Sequence, residues 1–538
     1  MTHELTKEQE AVVKAIDEFS NCVVIARPGS GKTFTLAYAI RRILPELPHY
    51  KGVIAISYTN KASDELEARS LSGGMDRKSS FFGTIDKFYL TEIIIPFGRH
   101  LFGDPQNEID VMKLDEVEQS RKVEPLVEDA DQGRIDDELV EVMRQLYTEG
   151  GIILETIGCL ALYVFENSFA CRRYLRARYS HIYVDEYQDC GQWQHVLFVR
   201  LVELGLQGVA VGDINQSIFA FAKKDSKYLA ALSRDVERFK TYTLTKNHRS
   251  HTSIINYSTR LLSSTYQPTP TDEIRVYGKC VTGSEIEIAH WLNVAVPYFA
   301  DQFHVDRNKI GILVRGRRTG NLIHRNINFL HKPIVTTPLD NDSSLWGSVF
   351  RKILNWVFST ELTKYELVEG YLNIDLQLAV VRKVMTLLSD IEQAASTAPA
   401  SLSQHTDLFI EVANLIFPQR RNGTAINNLK NTLSNEIFLD SFIPPNSDEI
   451  QLMTLHKAKG LEFEMVFHLD LYRWIMPMYK GDYIQDLNLH YVGVTRAKQC
   501  VILCSSTQRH SSQGIRDAED SEFLHINDLE LLRVQCPD

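Results

Sequence analysis

NCVVIARPGSGKTFTLAYAIRRIL, Asn21–Leu44, decides the fold. An apolar run, NCVVIA, enters a short loop holding Gly29, Ser30 and Gly31, and a helical run, FTLAYAIRRIL, leaves it. This is the strand–loop–helix context of a phosphate-binding loop. The two glycines let the backbone curl so that its N–H groups face phosphate, and the helix N-terminus adds positive potential. Lys32 is placed to reach the β- and γ-phosphates of a nucleotide, and Thr33 to ligate Mg²⁺. The usual pattern begins with a glycine where this chain has Ala26. HIYVDEYQD, His181–Asp189, complements the loop. It reads as a buried strand that delivers Asp185 and Glu186 at its C-terminal end, into the crevice of a parallel sheet. Asp185 suits the metal, and Glu186 suits orienting and deprotonating an attacking water.

Outward from these two stretches, β-branched runs recur. Cys22–Ala26, Val53–Tyr58, His181–Val184, Gly208–Gly212 and Tyr242–Leu244 form one set; Ile286–Ala289, Ile310–Val314, Ile450–Thr454, Met465–Leu469 and Val501–Cys504 form another. Continuous apolar strands alternating with helices predict parallel sheets covered on both faces. A break near residue 245 predicts two of them. Two stretches lack the rhythm and read as helical insertions, residues 90–159 and 341–446. In the second, Trp346, Val349, Phe350, Ile353 and Val357 share a face at helical spacing, and Ala394–Ser403 reads as a loop. Gln508–Glu522 reads as a polar, mobile segment. The expected organisation is therefore an α/β chain with two parallel-sheet NTPase domains. The first holds residues 1–89 and 160–245, and the second holds 246–340 and 447–538.

Composition narrows the function classes. The 538 residues include 25 Phe and 22 Tyr, which excludes wholesale disorder. The longest apolar run, Ile157–Phe165, is too short to span a bilayer, and the start MTHELTKEQE has no secretory pattern. The 8 cysteines form no CxxC, so free thiols in a reducing cytoplasm are expected. With a net charge of −11, any DNA contact must come from a local basic groove rather than from bulk attraction.

ARPGSGKT paired with DEYQD resembles the UvrD/Rep branch of superfamily 1A DNA helicases, whose two sheet domains are RecA-like. Further blocks follow in that family's order: LTKEQ, SYTNKA (Ser57–Ala62), GTIDKF (Gly83–Phe88), VGDINQSIFAF (Val211–Phe221), NHRS (Asn247–Ser250), QLMTLHKAKGLEF (Gln451–Phe463) and YVGVTRAK (Tyr491–Lys498). The resemblance implies ATP and Mg²⁺ as cofactors and fills the site. Gln9 would read adenine, with Ala26, Arg27, Pro28, Gly29, Ser30, Gly31, Lys32 and Thr33 around the phosphates. Gln216 would sense the γ-phosphate, and Arg249 and Arg496 would act as arginine fingers. Glu462 would contact ribose, and His248 would stack on the base where the family has tyrosine. Single-stranded DNA would cross both sheet domains over Tyr58, Thr59, Asn60, Lys61 and Thr84 in the first, and Thr454 and His456 in the second. Phe219 and Phe221 would stack on bases. Asp86 stands where the family has histidine, and Ala222, Lys223 and Lys224 replace an Arg-Gly-Ala continuation, which puts tight coupling of DNA to hydrolysis in doubt.

Both insertions are short for unwinding members of the family. That compactness, with FFGTIDKFYLTEIIIPFGRHLFG (Phe81–Gly103) and TTPLD (Thr336–Asp340), resembles the helicase-like subunits of the Gabija anti-phage defence systems. It implies a hetero-oligomer with an OLD-family ATPase–Toprim nuclease. The expected dock for that partner is the first insertion, through Phe97, Phe102 and the acidic run after Met112. Two other functions fit the same residues: a free-standing 3′-to-5′ repair helicase, and a DNA-sensing subunit that binds nucleotide without turnover.

Overall fold

The computed structural model describes residues 4–107, 109–112, 114, 120–131, 133–218, 224–342, 344–358, 363–372, 377–418, 421–511 and 513–536. Two parallel sheets organise them. The first has six strands in the order Phe81–Thr84, Gly52–Ser57, Tyr179–Val184, Gln207–Gly212, Cys22–Ala26, Lys240–Leu244. The second has seven, in the order His331–Pro333, Ile450–Thr454, Ile310–Val314, Phe463–His468, Ala497–Ser506, Val276–Val281, Val534–Gln535. Central strands such as Gly52–Ser57 and Gln207–Gly212 are buried at every position, because helices cover both faces. The phosphate-loop strand lies between Gln207–Gly212 and Lys240–Leu244, which brings the loop to the C-terminal edge beside Asp185.

Several sequence expectations need correction. Ile286–Ala289 is not a strand. It lies in helix Glu285–Phe303, opened by a Ser284–Glu287 capping box that a short β-branched run cannot override. The strand in that region is Val276–Val281. Phe81–Thr84 and His331–Pro333 are edge strands too short to show periodicity. Ala394–Ser403 is not a loop: helix Leu378–Thr397 runs into it and a 3₁₀ turn, Pro399–His405, continues. Within the polar segment Gln508–Glu522, Gln508–Ser511 and Gly514–Asp517 pair as antiparallel strands.

The first insertion carries helix Asp137–Glu149 and a two-stranded parallel sheet, Asp110–Met112 with Gly151–Ile153, and helix Ile157–Asn167 leads from it back into the first sheet domain. Phe97 and Phe102 are buried in the core of the first sheet domain, where Phe102 packs on Tyr147 and stacks on Tyr163. They are therefore unavailable as a docking surface. Of the acidic run, residues 113, 115–119 and 132 lie outside the described residues, and the rest includes helix Ser120–Asp131 and the start of helix Asp137–Glu149.

The second insertion packs around its own core of Trp346, Val349, Phe350, Ile353 and Phe409. It is also tied to the first domain by charge. Arg351 reaches Asp64 at 2.9 Å, Lys352 reaches Glu67 at 3.1 Å, and Lys87 donates to Ser348 at 3.2 Å. Burial and the neighbouring Lys352 push the Lys87 ammonium down to about 7. Asp110 of the first insertion accepts from Asn422 at 2.8 Å and Thr424 at 2.7 Å in the second. Among the described residues, no helix is long and apolar enough to cross a membrane.

Candidate nucleotide site and nucleic-acid face

Helix Lys32–Ile43 starts at Gly31 with no side-chain cap and no acid in its first turn. Its leading N–H groups are left for an anion. Gly29 and Gly31 have φ of 70° and 80°, where a side chain is strained. Space excludes one as well: a Cβ on Gly29 would lie 2.4 Å from Asn247 Oδ1, and one on Gly31 2.6 Å from Gln9 Nε2. Ala26 is different. It closes the strand, paired with Leu244, in extended backbone, so this position does not need glycine.

Opposed charges line the cleft. Lys32 Nζ lies 3.3 Å from both Glu186 carboxylate oxygens. Thr33 Oγ1 donates to Asp185 Oδ2 at 2.7 Å, which gathers two oxygen ligands suited to Mg²⁺. Burial and the adjacent Glu186 raise the Asp185 carboxyl above its usual range. Burial also pushes Glu186 up, but Lys32 and Lys459 outweigh it and hold the group ionised. Glu186 itself sits at φ 57°, a left-handed conformation that costs a non-glycine residue about 1–3 kcal/mol. Gln188 Nε2 donates to its carboxylate, and Gln188 Oε1 accepts from Asp213 N at 3.0 Å.

The second domain closes the cleft. Gln216 donates to Asp213 at 3.0 Å and accepts from Arg496 Nη2 at 3.3 Å. Arg496 is buried and further anchored on the carbonyls of Val492 (3.2 Å) and Leu461 (3.3 Å). Burial, with Arg249 nearby, pushes its guanidinium down to about 10, so it stays charged at neutral pH. Arg249 is ion-paired with Glu462. Lys459 spans the domains, donating to Asp189 at 2.5 Å and to the Gln216 carbonyl at 2.7 Å. Gln9 is held by a capping box with Thr6 and donates to the Ser30 carbonyl at 3.1 Å. His248 is exposed beside the loop, its N–H bonded to the Gly29 carbonyl at 2.9 Å. Arg27 is also exposed, and its carbonyl accepts from Ser30 Oγ at 2.7 Å.

The sequence expectations gave no role to Lys459, Asp189, Gln188, Asp213 or Asn247. Each falls inside a block already quoted.

Across the strand ends, Thr59, Thr84 and Thr454 cap short helices, accepting from Ala62 N (3.2 Å), Lys87 N (3.4 Å) and Lys457 N (3.4 Å). Asn60 begins the first of these, helix Asn60–Ser70, which contains Lys61. TIDK, Thr84–Lys87, and TLHK, Thr454–Lys457, are the same strand–cap–helix unit repeated in the two domains. Burial and the nearby Arg315 push His456 down to about 4, which keeps it neutral. Tyr58 donates to Cys190 Sγ at 2.7 Å, and Lys224 lies 4.9 Å above its ring. Phe219, Phe221, Ala222 and Lys223 lie outside the described residues.

Two parallel sheets facing one phosphate loop, with arginines entering from the second, define a P-loop helicase-like ATPase of UvrD type. Sequence comparison agrees: the AAA domain family matches residues 8–222, and the UvrD-like helicase C-terminal domain matches residues 359–508. The chain is UvrD-like, of superfamily 1A, and GajB-like within it. It is 26% identical to Gabija protein GajB of Bacillus cereus (strain VD045), over 92% of this chain and 95% of that one. It is 23% identical to ATP-dependent DNA helicase UvrD1 of Mycobacterium leprae, over 96% of this chain and 84% of the relative. It is also 23% identical to ATP-dependent DNA helicase PcrA of Bacillus subtilis, over 94% and 83%.

Proposed function

We propose that this chain hydrolyses ATP between its two sheet domains under the control of single-stranded DNA or DNA ends, as the helicase-like subunit of an anti-phage defence complex with an OLD-family nuclease. The observation that carries the reading is the charged chain Thr33–Asp185, Lys32–Glu186, Gln216–Arg496, which joins both domains at one phosphate loop. The partner assignment rests on the similarity to GajB along nearly the whole of both chains.

The pairing of Lys32 with Glu186 suggests an order of events. With no phosphate present, Lys32 neutralises the carboxylate and depresses its basicity. Entry of a triphosphate offers Lys32 a stronger anion. Glu186 then loses its nearest cation, its proton affinity rises, and it becomes a better base for the attacking water. Thr33 and Asp185 would hold Mg²⁺, which supplies charge neutralisation between the β- and γ-phosphates. Gln216 orients against the γ-phosphate, and Arg496 and Arg249 oppose charge developing on the transferred group. Gln9 and His248 flank the base side, and Glu462 the ribose side.

Glu186→Gln tests this order. ATP and Mg²⁺ binding persist, while hydrolysis falls by about 10²–10⁴-fold because the base is gone and the metal ligand is not. A variant that no longer binds ATP would show that Glu186 is a binding residue instead.

The similarity to UvrD1 and PcrA supports a second reading, a free-standing 3′-to-5′ helicase. Strand displacement on tailed duplexes separates the two. Processive unwinding by the isolated chain favours the second, and DNA-stimulated hydrolysis with little unwinding favours the first.

A further inference from the structure

The loop after strand Phe463–His468, with the first turn of helix Tyr483–Thr495, gives the second domain an unusual surface. Trp474 (53% exposed), Met478 (50%), Tyr479 (60%), Tyr483 (42%) and Ile484 (58%) all face solvent within eleven residues. Single exposed apolar residues are ordinary, but a cluster of large ones within one short segment marks an interaction site.

The ridge is rigidly built. Met478 N donates to the buried Asp486 at 2.7 Å, Tyr479 N to the Trp474 carbonyl at 3.2 Å, and Arg473 N to the Glu519 carbonyl at 2.9 Å. Trp474 and Tyr479 meet edge to face at 5.1 Å. Trp474 and Lys480 adopt φ of 69° and 58°, so the backbone accepts strain to hold the rings outward. A preordered surface loses little entropy when it is covered.

Its charge decides the occupant. The acidic stretch Asp517–Glu522 runs alongside, joined by the Tyr472–Asp520 bridge and by Arg473–Glu519 at 2.5 Å. Asp482 caps the following helix at the ridge's other end. Of the two cations on the rings, Arg473 is already paired with Glu519, which leaves Lys480, 5.4 Å from the Tyr479 ring. A phosphate backbone would meet more carboxylate than ammonium here. Trp, Tyr, Met and Arg are instead the residues enriched at the centres of protein interfaces, and the acidic rim suits a basic one.

We propose that the Trp474–Ile484 ridge is the dock for a protein partner that offers an apolar pocket rimmed by Lys and Arg. Resting on the function proposed above, that partner is the nuclease subunit. The site differs from the first insertion, whose Phe97 and Phe102 are turned inward. It also adjoins the nucleic-acid face: Asp486, which holds Met478, is paired at 2.6 Å with Arg315, and Arg315 acts on His456.

The test is co-expression of the full chain with an OLD-family nuclease from the same genome, followed by measurement of the affinity of the complex. Trp474→Ala combined with Tyr479→Ala should weaken the wild-type complex at least about tenfold. Thermal unfolding and basal ATP hydrolysis should be unchanged, because neither side chain touches the cleft. Glu522→Lys should weaken the complex less, by a factor that shrinks as salt is raised. A photocrosslinker at position 479 should capture the nuclease. Normal affinity in the double variant, or its loss of single-stranded DNA binding with the nuclease retained, overturns the dock. A wild-type chain that does not bind the nuclease at all overturns the partner reading itself, and the dock with it.

Discussion

In the cleft between the sheets, charged side chains are held by other charged side chains: Lys32 by Glu186, Arg249 by Glu462, Lys459 by Asp189. On the face across the strand ends, the side chains are held by their own backbone, with Thr59, Thr84 and Thr454 capping the helices they begin. The difference follows the chemistry each region would meet. A triphosphate presents several fixed charges, and replacing one ion pair by another lets binding rearrange the catalytic groups. A single strand presents variable bases on a repeating backbone. A capping hydroxyl that accepts an N–H still has its own O–H to donate to a phosphate, whatever the base.

That contrast can be broken in order of expected size. Lys32→Ala should remove hydrolysis to below a tenth of wild type, with single-stranded DNA binding retained; malachite-green turnover beside fluorescence anisotropy measures both. Residual turnover above that level would remove Lys32 from the phosphate site. Arg496→Ala should slow hydrolysis by roughly 10³-fold with nucleotide affinity little changed, because its charge acts mainly in the transition state. A defect confined to affinity would make Arg496 an interdomain tether only. Phe219→Ala with Phe221→Ala should act on the other side of the comparison. Stacking contributes about 1–3 kcal/mol per base, so strand affinity should fall about tenfold or more while basal turnover persists. Unchanged DNA binding would make both rings packing residues.

The cleft was legible in the sequence because its parts are local. A glycine with positive φ, a lysine one step on and an acid at a strand end are each written within a few residues, and the two buried central strands read correctly from their apolar runs. Ala26 looked like a departure and is not one, since the position is extended. Three kinds of feature escaped. Edge strands such as Phe81–Thr84 are too short to carry a pattern. Ile286–Ala289 has strand composition but belongs to a capped helix. Pairings across the fold, Lys459 with Asp189 or Arg351 with Asp64, join residues hundreds apart, and no local spacing encodes them.

The last of these pairings has a mechanical consequence. The chain enters and leaves the second insertion from the second sheet domain, yet Arg351 and Lys352 grip Asp64 and Glu67 on the first. Covalent attachment on one lobe and ionic attachment on the other turn the insertion into a crossbar. Parting the two lobes at this point would break those ion pairs. A nucleotide cycle that opens the cleft would then load the crossbar at helix Asn60–Ser70.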